Sequence, residues 1–528
     1  MSWLRILCLG GGIVMNKKDM EDIKKKGLPP VMFKKVSRRQ ALGTAGKVTI
    51  AAVVAGVVGA IGGYLVGSTA APAKTVTETK TVTAAAATVT QTVTQTVTKT
   101  VTASPTPTTV IPTPTVTPPT KIKLVMTQHP VDPNQMYAKM AKKYSTEIKP
   151  YVEVEIAWGP TGGGAVAEYY RIQVEAGRAR SPTLDIFNLD VIWGAAFNDN
   201  DWCLDLSDRF PPEEQAKFIP AMIESWTWID KKGHKRIGAV PWMADIGGMW
   251  YRKDIVEEKE GIKPPANGWT WEEFFGICVE LKEKYPDMYP LAIDNAKSEQ
   301  LICNFQEFLA SNGGEWFDEE WNVLIADTPA IEALQAMYDM IHKHKICHPE
   351  TLTGDLEIAR KHFTEGRAIF HRNWCYVWGV ALGSPVEGKI WETLIPHFPG
   401  HESKSCVGGW SWAINPGCRY IDEAWELIKW FTSYDTMKEL MLGGSWLHAR
   451  IDLYKDPDII KVIPIAPAYY ELYKRGTIRP KHPEYMTISD FAQTELHAAL
   501  SNMKSVEQAL NDLAKRIADF LGTKVVKR

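Results

Sequence analysis

Two aspartates set among tryptophans carry most of the chemistry that this sequence offers. Asp190 closes the run Leu184-Asp-Ile-Phe-Asn-Leu-Asp190, and Asp245 stands in Val240-Pro-Trp-Met-Ala-Asp-Ile-Gly-Gly-Met-Trp250. A carboxylate in such apolar company is costly to bury unless something partners it. One chemistry is hydrolysis of a glycosidic bond by two carboxyls roughly 5 or 6.5–9.5 Å apart. The other is binding: carboxylates accept hydrogen bonds from ligand hydroxyls while flat rings stack on the ligand's apolar faces. Structural roles compete with both. Asp190 could cap a helix starting at 191–192, and Asp245 could sit in a salt bridge. The chain has twenty Trp, nineteen of them beyond residue 120. That is more than a core needs, and it suits a surface that stacks on ligands.

Other motifs lead nowhere. His342, His344 and His348 with Cys347 resemble metal ligands, but they fall at a helix C-terminus, where cationic side chains are favourable. Asn198-Asp-Asn-Asp201 lacks the glycine and distal Glu of a calcium loop. Gly162-Gly-Gly164 lacks the Lys-Ser/Thr of a phosphate loop. No metal, cofactor or catalytic residue is expected. The eight Cys show no C-x-x-C spacing; Cys406 and Cys418 could close a hairpin or remain two buried thiols.

The 528 residues carry net charge -2, distributed very unevenly: +8 over 1–47, +2 over 48–120 and -12 over 121–528. An acidic body argues against a nucleic-acid partner, which needs a basic footprint. Residues 48–67 form 20 residues without a charge, long enough to span a bilayer. Lys34, Lys35, Arg38, Arg39 and Lys47 precede them, which keeps the basic segment 1–47 on the cytoplasmic side. Ser37-Arg-Arg39 resembles a twin-arginine export signal. Ala71-Pro-Ala73 could serve as a cleavage site, but the length of the apolar run favours a retained anchor. Residues 68–120 read as a stalk: 20 of the 46 residues from 75 to 120 are Thr, with Pro gathered at the end. Such a segment is extended and disordered, a candidate for O-glycosylation, and at ~3.1 Å per residue reaches roughly 140 Å.

The body must position the aspartates. Strands are expected at 121–126, 151–156 and 184–190, with helices near 134–147 and ending at Arg178 between them, a parallel α/β pattern. Helical periodicity follows at 271–285, 300–312, 329–345, 421–442 and 504–521, the first opened by a Thr270/Glu273 capping box. A body of this size with this pattern divides into two α/β lobes. Ligands of open α/β sheets lie at the carboxyl ends of the strands, here the cleft between lobes.

Residues 121–522 resemble the extracellular solute-binding proteins of ABC importers, the sugar-binding group that includes the maltose-binding proteins, and most of all the archaeal trehalose/maltose-binding type. The likeness runs through Leu189-Asp-Val-Ile-Trp193, Val240–Lys253, Ile341-His-Lys-His-Lys345, Phe370-His-Arg-Asn-Trp-Cys-Tyr-Val-Trp-Gly379, Pro396–His401, Gly408-Gly-Trp410 and Ala424–Phe431, in order over some 400 residues. It implies a two-lobed periplasmic-binding-protein fold of type II with a hinged cleft. The N-lobe would comprise about 121–240 and 389–436, and the C-lobe about 241–388 and 437–528. The resemblance implies that Asp190 and Asp245 contact sugar hydroxyls from different lobes. Trp374 would be the main stacking ring of the C-lobe, and Trp410 a second ring on the N-lobe, with Gly409 before it allowing close approach. Arg450 would donate to hydroxyls. Met243 replaces a Tyr typical of the family, Cys375 replaces a Pro after the stacking Trp, and Gln128 and His129 could reach the cleft from the first loop. The implied function is capture of a di- or oligosaccharide at the cell surface by a monomer that delivers it to permease subunits, powered by separate ATPases. A surface glycoside hydrolase, or the same fold binding a peptide or another solute, is the alternative.

Overall fold

The computed structural model describes residues 121–160, 165–230 and 232–528. The basic segment 1–47, the span 48–67, the stalk 68–120 and Gly162–Gly164 lie outside the described residues. Among the described residues no helix is long and apolar enough to cross a membrane.

Alternating Val, Glu and Ile at 152–156 make a half-exposed strand, and the three expected N-terminal strands form as β1 (Ile122–Gln128), β2 (Val152–Trp158) and β3 (Ile186–Asp190). β1 pairs in parallel with both others. Next come the small ribbon β4 (Thr227–Ile229) and β5 (Lys235–Ile237), then β6 (Val240–Ile246). β7 (Gly248–Arg252), β8 (Tyr289–Ala292), β9 (Ala368–Asn373) and β10 (Ile390–Thr393) follow, and β11 (Ser405–Ile414) and β12 (Gly476–Thr477) come last.

The strands form two main sheets. In the first, the order is β12-β11-β3-β1-β2, with β6 on the other edge of β11; in the second it is β10-β7-β9-β8. Helices Trp271–Lys284, Glu299–Ala310, Thr328–His342, Tyr485–Leu500 and Val506–Leu521 cover the second sheet and share its core. The capping box at Thr270 and Glu273 is present.

The chain passes between the sheets three times. It leaves the first sheet at Gly247, returns after β10 through residues 394–404, and leaves again between β12 and the helix that starts at Tyr485. The first crossing is tight. A β-carbon on Gly247 would lie 1.8 Å from Glu307 Oε1 and 2.3 Å from Arg372 Nη2, and one on Gly248 would lie 1.6 Å from Glu392 Oε1. Only glycine leaves room there for buried side chains.

Three details differ from the sequence reading. The single helix expected at 421–442 is two, Ile421–Phe431 and Tyr434–Gly444. Ser433 breaks it, its Oγ accepting from the Thr436 backbone as an N-cap. β10 belongs to the second sheet, and buried residues from Met437 to Tyr473 pack in the core of the first. The chain therefore stays with the first sheet well past residue 437. The reason is that the helices after Ser433 carry apolar faces (Met437, Leu440, Met441, Tyr469) that close over that core. All seven Cys of the described residues are free, including Cys406 and Cys418, which are both buried.

Candidate functional site

β11 is the spine of the site. It runs antiparallel to β3 with Trp410 opposite Asp190, and antiparallel to β6 with Gly408 opposite Asp245 and Trp410 opposite Met243. Residues directly opposite one another project to the same side of a sheet. Asp190, Trp410, Gly408 and Asp245 therefore share one face, with glycine leaving bare backbone between the two carboxylates. Gly409 has φ of +121°, and a β-carbon there would lie 2.3 Å from the Met243 carbonyl oxygen. This conformation suits glycine and brings β11 close to β6.

The resemblance placed Asp190 and Asp245 in different lobes; in the structure both belong to the first sheet, on strands flanking β11. The physical reason is the position of the first crossing. The chain changes sheet at Gly247, two residues after Asp245, so Asp245 is still held by the ladder with β11.

Asp190 accepts the Ile192 backbone N–H at 3.2 Å, so it does cap the short helical turn that follows. Its other neighbour is the Arg479 guanidinium at 3.9 Å, and Arg479 is held in turn by Glu299 at 2.7 Å. Burial raises the Asp190 carboxyl to about 6 despite the pull of Arg479 in the opposite direction. Asp245 receives the Cys375 thiol at 3.0 Å, and among the described residues no cation forms an ion pair with it. Burial raises it to about 7; the Cys375 hydrogen bonds oppose the rise and the charge of Asp190 adds to it. Two carboxyls are thus held in one wall without full compensation by the protein, a state expected of groups kept for a ligand.

The other wall comes from the end of β9. The Trp374 indole lies on Gly408: a β-carbon there would meet its ring atoms at 3.1 and 3.2 Å, beside the Asp245 β-carbon at 3.3 Å. Trp374 is half-buried. Its Nε1–H donates to Gln300 Oε1 at 3.0 Å, and the Arg372 guanidinium stands 4.5 Å from the ring centroid. Arg372 is itself buried and doubly bonded to Glu307, whose carboxylate also accepts the Cys406 backbone N–H of β11 at 3.1 Å. The stacking platform is thus held by an ion pair that also grips the first sheet.

Of the remaining expected residues, Trp410 is 8% exposed and packs against His129, Tyr169 and Trp193 with ring centroids 5.0, 5.9 and 5.6 Å away. Burial lowers His129 to about 4, so that ring is neutral at ordinary pH. Met243 is buried beside Trp410. Gln128 is wholly buried and accepts the Trp412 Nε1–H at 3.3 Å. Arg450 is not gathered with the others: its guanidinium grips Asp452 at 2.6 and 3.1 Å and the Thr432 carbonyl at 3.4 Å. Arg479, Gln300 and Cys375 were not anticipated as site residues. Nothing in the local sequence marks Arg479 or Gln300, because their partners lie far away along the chain. The thiol of Cys375 could have been suspected from its place after Trp374.

Comparison with known proteins agrees with this architecture. The family described as bacterial extracellular solute-binding protein matches residues 131–438, and the chain belongs to it. Its role is that of the solute-binding component of an ABC transporter. A probable ABC transporter-binding protein of Deinococcus radiodurans is 27% identical over 356 residues, 65% of this chain and 81% of that one. The maltotriose-binding protein of Pyrococcus abyssi is 25% identical over 397 residues, 72% of this chain and 79% of its own. Among solved structures, maltose-bound MalE3 of T. maritima superposes with a TM-score of 0.67 at 31% identity, covering 76% of this chain and 99% of the other. These relatives are binding proteins.

Proposed function

We propose that the solute is a neutral sugar, a di- or oligosaccharide of the trehalose/maltose kind, taken up between the two lobes and passed to the permease of its transporter. The observation that carries this reading is the shared face of Asp190, Trp410, Gly408 and Asp245, with Trp374 lying over Gly408 from the opposite wall. Such a face offers a hydroxyl-rich ring two acceptors at its edge and indoles for its flat sides. The names of the maltotriose- and maltose-binding relatives point the same way. In this reading closure swings Trp374 onto the ligand by a hinge motion. The apolar run 48–67 anchors the protein, and the Thr/Pro segment holds it out from the membrane as a monomer.

Raised carboxyls also favour a second reading, a surface glycoside hydrolase in which Asp245, protonated near neutral pH, acts as the acid. One experiment separates the two. The protein is melted with a panel of mono- and oligosaccharides and the sugars are recovered after long incubation. A ligand at a hundred times its Kd stabilises by ~2.7 kcal/mol, a readily measured rise in Tm. Recovery of the stabilising sugar intact supports the binding reading, whereas cleavage abolished by Asp190→Asn or Asp245→Asn establishes the hydrolase. Stabilisation by peptides and by no sugar would overturn both.

A further inference from the structure

The run His342, His344, Cys347, His348 separates in the structure. His342 turns to the Leu500 carbonyl at 2.8 Å, and His344 packs on Phe275. His348 instead meets two residues that the run does not contain. Its Nδ1 lies 3.4 Å from Glu350 Oε2, and the same oxygen lies 3.0 Å from Nε2 of His362, from the helix Leu356–Thr364. One ligand atom from each of the three falls within 4.8 Å of the others.

The hydrogen bonds around the cluster determine which atoms are available. His348 Nε2 faces the Ile293 carbonyl at 3.0 Å, which can only accept, so that nitrogen carries the proton. In the neutral ring Nδ1 then has a bare lone pair, aimed at a carboxylate oxygen. Two acceptors then face one another, a contact that either a proton or a metal ion between them would relieve. Nδ1 of His362 is buried without a partner among the described residues, so no hydrogen bond outside the cluster fixes its tautomer.

The surroundings are rigid. The Thr351 hydroxyl binds the same Ile293 carbonyl at 2.7 Å, the His348 backbone N–H donates to Leu291 of β8 at 3.1 Å, and the Tyr289 ring abuts His362 at 5.1 Å. A metal-bound imidazole characteristically donates its second N–H to a backbone carbonyl, as His348 does to Ile293. Both imidazoles are buried, while Glu350 is half-exposed and leaves an approach from solvent.

We propose that His348 Nδ1, His362 Nε2 and the Glu350 carboxylate form a binding site for a divalent transition ion of the zinc class, clipping the loop after the helix Thr328–His342 to the helix Leu356–Thr364. Bonds of ~2.0–2.1 Å at tetrahedral angles place ligand atoms ~3.3 Å apart, close to the two His–Glu separations. Two imidazoles with one carboxylate favour zinc, cobalt, nickel or copper over calcium or magnesium, which prefer all-oxygen shells. Three protein ligands leave a fourth position for water.

The test is titration of the metal-free, full-length protein with Co²⁺, followed by visible absorption, with Zn²⁺ as competitor. One equivalent with the d–d bands of a four- or five-coordinate ion, displaced by Zn²⁺ and absent in His348→Gln and His362→Gln, supports the site. Because those two rings are buried, Glu350→Ala provides a variant that removes only a half-exposed side chain, and it should weaken Co²⁺ binding by ~10-fold or more. Absence of saturable binding overturns the proposal. A sulfur-to-cobalt charge-transfer band, which would assign the ion to one of the free thiols, overturns it, as does an affinity unchanged in Glu350→Ala.

Discussion

The indole of Trp374 rests on the backbone of Gly408, a residue of the other sheet, so closely that a β-carbon on Gly408 would meet the ring at 3.1 Å. The contact joins the two walls of the cleft, and it makes both residues informative to change.

Trp374→Ala should remove a large flat contact with the ligand. Truncating an aromatic anchor in a binding site commonly costs at least ~2 kcal/mol, about thirtyfold in affinity. Because the ring is half-buried, with Arg372 on one face, a smaller loss of ligand-free Tm should accompany this. A mutant destabilised by ~3–5 kcal/mol with unchanged affinity would instead make Trp374 a core residue. Gly408→Ala supplies the complement: the added methyl displaces the ring by a few tenths of an ångström, and sugar titration should register the shift with little effect on melting.

Asp245 should leave a signature in the pH dependence of stability. Its folded carboxyl titrates at about 7, well above the ordinary Asp value of 3.8, so between these values the folded state binds more protons than the unfolded one. Stability from this group accordingly falls as pH rises through that window. Asp245→Asn removes the penalty. Its ligand-free Tm, compared with wild type, should gain steadily from pH 4 to about 7 and then level off. A difference independent of pH would mean that Asp245 is ionised throughout. Asp190, raised to about 6, should show the same trend over a narrower range.

Arg450, which the resemblance placed at the ligand, lies apart from the other site residues, whereas Arg479, which the sequence did not mark, lies among them. Arg450 is spent on Asp452 and Thr432, whereas Arg479 stands beside Asp190. Arg450→Gln should lower Tm and leave sugar affinity within about twofold, because none of its contacts lies in the cleft. Arg479→Gln should weaken sugar binding, and by raising the Asp190 carboxyl further it should move the pH dependence of binding upward. Calorimetric titration of the two variants at pH 6 and 8 checks both.

Glu307 and Arg372 form a buried ion pair. Glu307→Ala strands the Arg372 guanidinium and frees the Cys406 N–H, and should cost ~3–5 kcal/mol in denaturant unfolding. A loss under 1 kcal/mol would mean that the site is wetter than its burial implies.

Much of this was legible from local pattern. The alternation at 152–156, the capping box at Thr270 and the apolar run before Asp190 each state their structure within a few residues. Asp190, Asp245, Trp374 and Trp410 could be named because they sit in continuous motifs. What stayed hidden depends on pairing across the chain. That Asp190 and Asp245 flank a single strand follows from β11, which joins the sheet more than 150 residues after Asp245. That Arg479 stands beside Asp190 could not be read locally, because the Glu299 that holds it lies 180 residues earlier. Ser433 split a helix because its hydroxyl offered the backbone an N-cap, a competition that periodicity does not weigh. The metal-like run dispersed because the helix ends at His342, and His342, His344 and His348 meet different partners: the Leu500 carbonyl, Phe275 and the Ile293 carbonyl.

Finally, the lobes are joined by three connections, not one: at Gly247, through 394–404, and after β12. A single linker would let the lobes bend, twist and slide. Three attachments, far apart in sequence, restrict the proposed hinge more than one linker would, as several pins hold a door better than one. In the proposed closing motion Trp374 would approach the face of Asp190 and Asp245 along the same path each time. A cleft closing in that way would offer the same gap every time, and so would select its solute by shape.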